Sequence, residues 1–218
     1  MSFSPRVVFD IDQVIVDVVR PLLRYFFPNT LEVEKAYATL DNYDMSIPLG
    51  VTPEVIRSGF DKVIAEDDYA FLEKDVTWVI LKRISSFVET WLYTSRPVHL
   101  QAATRLWFRG HGVDNKIIFA SQDPMLLIKD QVIFVTDCPS QLENAANANL
   151  DLIPILFMHP WSSVLPNSLR GRAYLVENWD RLGYLIVCLL GIEIDWPNID
   201  ITKGRIKVGE MWWNTEKV

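Results

Sequence analysis

A chain of 218 residues that is 50% apolar and 22% charged can bury a full hydrophobic core, which excludes a disordered chain. Its net charge of -7 argues against nonspecific nucleic-acid binding, so an anionic substrate would need a local Arg, Lys or metal ion. The two cysteines, Cys138 and Cys188, make no disulfide framework, no signal-peptide segment is evident, and the apolar run Leu182 to Ile192 falls short of the ~20 residues that span a bilayer; a soluble, cytoplasmic protein is expected.

Residues 6–16 read R-V-V-F-D-I-D-Q-V-I-V. Val7 to Phe9 have the β-branched and aromatic character of a buried strand, which runs into two carboxylates, Asp10 and Asp12. In an open parallel sheet that place is the crevice beyond the strand ends, where ligands bind. Strand alternation through Ile11 puts both acids on one side, close enough to repel unless a cation such as Mg²⁺ lies between them. The other reading is a turn with ordinary solvent-facing aspartates.

A helix is expected from Ile15 to Phe27 with Pro21 as a kink or a restart, a second from Leu31 to Leu40, a loop over Asp41 to Gly50, and a third helix capped by Thr52 and opened by Pro53. Most aromatics of this stretch, among them Phe26, Phe27, Tyr37, Tyr43, Phe60 and Tyr69, are expected to form its small core, with one or two lining a pocket. Asp75 to Phe87 reads as a helix and V-E-T-W-L-Y as a strand ending in T-S-R-P, residues 94–97. Thr94, Ser95 and the first amides of the next helix make a plausible phosphate cradle, with Arg96 as a bidentate partner; the alternative is a simple cap with Arg96 in solvent. Further strands are expected at Ile117 to Ala120, Val132 to Val135 and Ile153 to Phe157, with Lys129 before the second and Asp137 after it. Asn178 caps a helix through Leu190, and I-K-V with M-W-W near the C-terminus reads as a short strand pair. Trp212 and Trp213 offer either intramolecular packing or a homo-oligomer contact. His99, His111 and His159 lack metal-ligand spacing and read as surface or capping residues.

The succession Phe9-Asp10-Ile11-Asp12, Thr94 in L-Y-T-S-R, Lys129 and Asp137 in F-V-T-D resembles the motif order of the haloacid-dehalogenase-like superfamily, in its aspartate-nucleophile phosphatase branch. The resemblance implies a doubly wound α/β fold, with a mainly parallel sheet, helices on both faces and an inserted helical cap. The core would comprise residues 1–16 and 75–160, the cap residues 17–74, and residues 161–218 a C-terminal extension packed on the core. It further implies an Mg²⁺-dependent phosphomonoester hydrolase. Asp10 would be the nucleophile, Asp12 the general acid and base, Thr94 a phosphoryl-oxygen ligand and Lys129 the neutralising cation, with Lys116 as the alternative to Lys129. Ser95 and Arg96 would bind substrate. Asp10, the Asp12 carbonyl, Asp137 and Glu143 would hold the metal. Gln13 stands where a Gly is common in the family, and Gln141 where a second acid is common. The T-S-R-P segment and the aromatic cap are also similar to 5'-deoxynucleotidases and to nucleic-acid end phosphatases, so a small phosphorylated substrate such as a nucleoside monophosphate is one expectation. A catalytically silent binding protein on the same scaffold is the competing class. No stable nucleic-acid complex and no membrane partner are expected.

Overall fold

The computed structural model describes residues 5–120, 132–162, 164–192, 205–208 and 211–214. In chain order its elements are β1 (Arg6–Asp10), β2 (Val16–Asp17), α1 (Val19–Arg24), α2 (Thr30–Thr39), α3 (Ser46–Leu49), α4 (Pro53–Ala65), β3 (Ala70–Phe71), α5 (Lys74–Ser85) and β4 (Glu89–Thr94). There follow α6 (Gln101–Gly110), β5 (Lys116–Phe119), β6 (Val132–Thr136), α7 (Pro139–Ala148), β7 (Ile153–Phe157), β8 (Tyr174–Val176), α8 (Trp179–Leu189), β9 (Arg205–Val208) and β10 (Met211–Asn214).

Six parallel strands form one sheet in the order β5-β4-β1-β6-β7-β8. The chain builds outward from β1 to β5, then returns to the other side of β1 and builds outward again. The order therefore reverses at β1, and a crevice opens beyond its carboxyl end. Helices cover both faces, which is why β1 reads as an unbroken apolar run. Val7 and Phe9 pack into one core with Leu92, Val135 and Phe157, whereas Val8 points into the other with Trp91, Phe134 and Leu156. Register aligns Asp10 with Tyr93 of β4, and Phe9 with Val135 of β6, so Asp10, Thr94 and Thr136 finish at nearly the same height.

The insertion departs from the sequence expectation at its start. Asp17 ends β2 and accepts from the backbone N–H groups of Val19 and Arg20 at 3.1 and 3.0 Å, so a strand and a shorter helix replace the long helix expected from Ile15. Pro21 falls within the first turn of α1, where its missing N–H costs no helical bond, and it is no kink. β2 pairs with β3 in antiparallel register, Val16 with Phe71, which ties the two ends of the insertion together. The expected loop over residues 41–50 contains the short α3.

Beyond β7, β8 and α8 are part of the core. β8 is a strand that the sequence pattern did not reveal, and Trp179 packs against Phe9 with ring centres 5.3 Å apart and tilted by 30° while its Nε1 donates to the Val14 carbonyl at 2.6 Å. Asn178 caps α8 as expected, accepting from Arg181 N at 2.9 Å, and β9 pairs with β10. Among the described residues no helix is long and apolar enough to cross a membrane.

α8 packs closely on α5. A Cβ added at Gly183 would lie 2.7 Å from Ile80 Cγ2, a branched atom that the facing helix cannot easily move. Gly183→Leu is therefore expected to destabilise the chain by about 1–3 kcal/mol through overpacking, read as a lower urea midpoint with an unchanged slope.

Candidate active site

Asp10 is the last residue of β1 and is buried. Its Oδ1 accepts from Ile11 N at 2.9 Å, and its Oδ2 lies 2.8 Å from Thr136 Oγ1. Thr136 Oγ1 is also 2.6 Å from the side-chain oxygen of Gln141. A hydroxyl has one proton for two acceptors. Burial, and then the neighbouring Asp137 and Asp12, push the Asp10 carboxyl well above the usual carboxylate range. Thr136 is therefore shared, its hydroxyl tying Asp10 Oδ2 to the Gln141 side chain.

Asp12 follows on the turn and meets Arg96. Arg96 Nε lies 3.1 Å from both carboxylate oxygens and Nη2 lies 2.6 Å from Oδ1, a bidentate ion pair. The Arg96 side chain is 2% exposed, against 28% for Asp12. Its Nη1 donates to Thr104 Oγ1 at 3.0 Å and to the Tyr69 hydroxyl at 3.4 Å. Of the two expectations for Arg96, a phosphate contact or a solvent-facing residue, the second is corrected: the side chain is buried and pairs with Asp12, the nearest anion. Thr94 is buried at the end of β4, its hydroxyl 3.4 Å from Asp12 Oδ2 and accepting from Arg96 N at 3.1 Å.

Asp137, at the end of β6, is buried, and Trp161 Nε1 donates to its Oδ2 at 2.9 Å. Burial, reinforced by Asp12, lifts its carboxyl to about 7 in spite of the Trp161 bond. Glu143 is not gathered here. It bonds Ser168 Oγ, on the opposite face of α7 from Gln141, because two residues along a helix turn the side chain by about 200°. The expectation that Glu143 joins the metal ligands is thereby corrected. Lys129 lies outside the described residues.

A cavity of about 240 Å³ opens above these groups. The core contributes Asp12, Gln13, Ser95, Arg96 and Asp137, and the insertion contributes Val18, Val19, Tyr43, Met45, Arg57, Phe60, Asp61 and Ile64. Tyr43 and Phe60 are the two of these aromatics that line the cavity, whereas Phe26 and Phe27 pack against the core. Tyr43 is 49% exposed, yet desolvation at its hydroxyl, with Asp137 and Cys138 near, raises that group above its ordinary value.

Sequence reasoning missed three groups at the site: Tyr37, His159 and Trp161. His159 was expected at the surface but is largely enclosed, with Nε2 2.6 Å from the Gln13 carbonyl and Nδ1 2.7 Å from the Tyr37 hydroxyl. Burial lowers its pKa to about 4. The available signal was its position: His159 follows strand β7 as Asp137 follows β6.

Among the described residues no three His, Cys, Asp or Glu side chains converge to hold a metal ion. The donors at the strand ends are nevertheless all hard oxygens: the buried Asp10 and Asp137 carboxylates, the second of which raises the cost of charge on the first, and the Asp12 carbonyl on the turn after β1. Such a set fits a cation of the Mg²⁺ type, which keeps several waters and uses one or two carboxylates. Gln141 cannot add a carboxylate and is tied to Thr136.

No family model matches the sequence, and no curated protein matches it. Solved structures do match. A haloacid dehalogenase-like protein of unknown function from Agrobacterium tumefaciens superposes with a TM-score of 0.57 at 14% identity, over 86% of this chain and 99% of that one. A haloacid-dehalogenase-family hydrolase from Deinococcus radiodurans, solved with bound phosphate and sodium, gives 0.55 at 14% identity over 85% and 96%. A dehalogenase gives 0.55 at 10% identity over 85% and 98%. The chain thus has the haloacid-dehalogenase-like α/β fold.

The raised carboxyl of Asp137 has a thermodynamic consequence. Between its unfolded value near 3.8 and its folded value of about 7, the folded chain holds the extra proton. The associated stability is fully present below about pH 4 and is lost as pH rises through about 7. In EDTA, Asp137→Asn is expected to melt higher than the parent at pH 8 and to flatten the fall in Tm between pH 5 and pH 8. In the parent, Mg²⁺ should raise Tm more at pH 8 than at pH 5, since protons and cation compete for the same carboxylates.

Proposed function

We propose that the chain hydrolyses phosphate monoesters through a covalent phosphoryl group on Asp10. The observation that carries this reading is the pair Asp10 and Asp12 at the end of the central strand, flanked by Thr94 and Asp137, with Asp12 and Asp137 lining a cavity between core and insertion. The bound phosphate in the Deinococcus radiodurans hydrolase supports a phosphoryl site on this fold.

Asp10 attacks phosphorus, forming an Asp10 Oδ–P bond as the ester P–O bond breaks. Asp12 delivers a proton to the departing alkoxide, then takes one from a water that attacks the Asp10-bound phosphoryl group, releasing phosphate and restoring Asp10. Thr94 and Ser95 hold phosphoryl oxygens, and Lys129 is the proposed neutralising cation. Asp10, Asp137 and the Asp12 carbonyl would hold Mg²⁺, which when bound supplies the positive charge that lets Asp10 ionise and offsets the phosphoryl oxygens.

The Arg96–Asp12 pair sets an order of events. The Arg96 fork occupies both Asp12 oxygens, so Asp12 is free to exchange a proton with substrate only once Arg96 has been drawn away. The incoming phosphoryl dianion is the competitor, since two of its oxygens accept the same guanidinium fork. The apolar wall of Val18, Val19, Met45, Phe60 and Ile64 then receives the leaving group. A nucleoside monophosphate, its base against Phe60 or Tyr43, is one substrate of that kind.

A second reading, a silent binding protein, is favoured by one feature: Gln141 in place of an acid, together with Asp12 already neutralised by Arg96. Phosphate release from p-nitrophenyl phosphate and from nucleoside monophosphates with Mg²⁺ separates the two. Asp10→Asn is expected to abolish turnover in a chain that stays folded; no release by the parent across these substrates would favour the silent protein. Arg96→Lys, which keeps the charge and loses the fork, should lower kcat/KM by about 10- to 100-fold, the equivalent of one or two charge-assisted hydrogen bonds.

A further inference from the structure

The turn that carries Asp12 is closed by a ring of contacts running from the core through the insertion and back. Gln13 is 3% exposed with φ 61°, a left-handed conformation that is strained for a residue with a Cβ. It is held on three sides. Its N–H donates to Val16 O at 2.8 Å, its carbonyl accepts from His159 Nε2 at 2.6 Å, and its side-chain Nε2 donates to Asp17 Oδ1 at 3.1 Å. Its Oε1 is buried with no partner among the described residues, so the side chain is retained by the Asp17 bond alone. Asp17 Oδ2 accepts from Arg20 Nη1 at 2.9 Å, the Arg20 guanidinium lies 3.7 Å from the centre of the Tyr37 ring, and the Tyr37 hydroxyl is 2.7 Å from His159 Nδ1. His159 then returns to Gln13.

The chemistry of the partners settles the imidazole. The Gln13 carbonyl can only accept, so Nε2 carries the proton and Nδ1 accepts from Tyr37. The same ring stacks on Trp161 at 4.7 Å and 12°, and Trp161 holds Asp137. One side chain thereby touches the turn of Asp12, the helix α2 of the insertion and the support of Asp137.

We propose that His159 is a positioning residue which, with Tyr37, locks the strained Gln13 turn and makes the seating of α2 on the core a condition for an ordered site. Its catalytic consequence rests on the phosphatase reading; its structural consequence does not. Gln13 in place of a permissive glycine becomes intelligible on this basis. The turn is held by the protein through a side chain that glycine lacks.

The test compares Tyr37→Phe, His159→Phe and His159→Gln. The glutamine amide can donate to the Gln13 carbonyl and accept from Tyr37, whereas phenylalanine keeps the ring shape and does neither. Amide hydrogen exchange over residues 11–17 is expected to speed up at least 10-fold in Tyr37→Phe and His159→Phe, with His159→Gln restoring most of the protection. Phosphate release should follow in the same order, kcat falling at least 10-fold while KM stays within about 3-fold. Unchanged exchange over residues 11–17 in folded Tyr37→Phe overturns the lock. Faster exchange with unchanged kcat overturns the positioning role. Should His159→Phe fail to fold, Tyr37→Phe, which removes one hydroxyl, decides both points. A parent chain that releases no phosphate sinks the phosphatase reading and leaves the exchange comparison to decide the lock.

Discussion

Three carboxylates meet at the end of one parallel sheet, and the structure around them exists to make that tolerable. Asp10 and Asp137 are buried, and Asp12 raises the cost of charge on both. Each has a different remedy. Asp10 has the Thr136 hydroxyl and the Ile11 N–H; Asp12 has a guanidinium; Asp137 has an indole N–H. A site of this kind stores electrostatic cost that a cation or a phosphoryl substrate can relieve, which couples binding to the state of the acids.

The remedies come from distant parts of the chain. Thr136 belongs to the same strand end as Asp137, but Arg96 follows β4 and is itself placed by Thr104 on α6 and Tyr69 from the insertion. Trp161 follows β7 and is stacked by His159. Reversal of strand order at β1 is what allows this, because loops from both halves of the sheet converge on the one crevice. The insertion is then more than a roof: Tyr37 and Tyr69 each reach a residue that touches an acid or its turn.

Gln13 shows how local strain and tertiary contact balance. A left-handed glutamine with an unpartnered buried oxygen is unfavourable by itself. It persists because a backbone bond to Val16, a side-chain bond to Asp17 and the His159 bond over-determine the turn. The same contacts that hold the strain fix where Asp12 lies relative to Asp10.

Strand composition and strand-end chemistry made much of this legible in advance. Val7 to Phe9 ending at Asp10, Trp91 to Thr94 and Val132 to Asp137 are short-range patterns, and a buried parallel strand followed by a polar group needs no distant information to be read. The helices α2, α4, α7 and α8 were legible for the same reason, through caps, prolines and apolar spacing. What the sequence left open were pairings. Whether Arg96 meets solvent, phosphate or Asp12 and whether His159 lies outside or beneath the insertion depend on surfaces brought together over 80 or more residues, as with Arg96 and Asp12, and whether Glu143 or Gln141 faces β6 depends on how α7 is seated. The sequence by itself determined the strands β1 and β4 to β7, their chemistry-bearing ends and the identity of the acids, since these rest on local propensity and burial. Only the tertiary structure decided the strand order and the partner of each acid, because pairing and desolvation are set by three-dimensional neighbours.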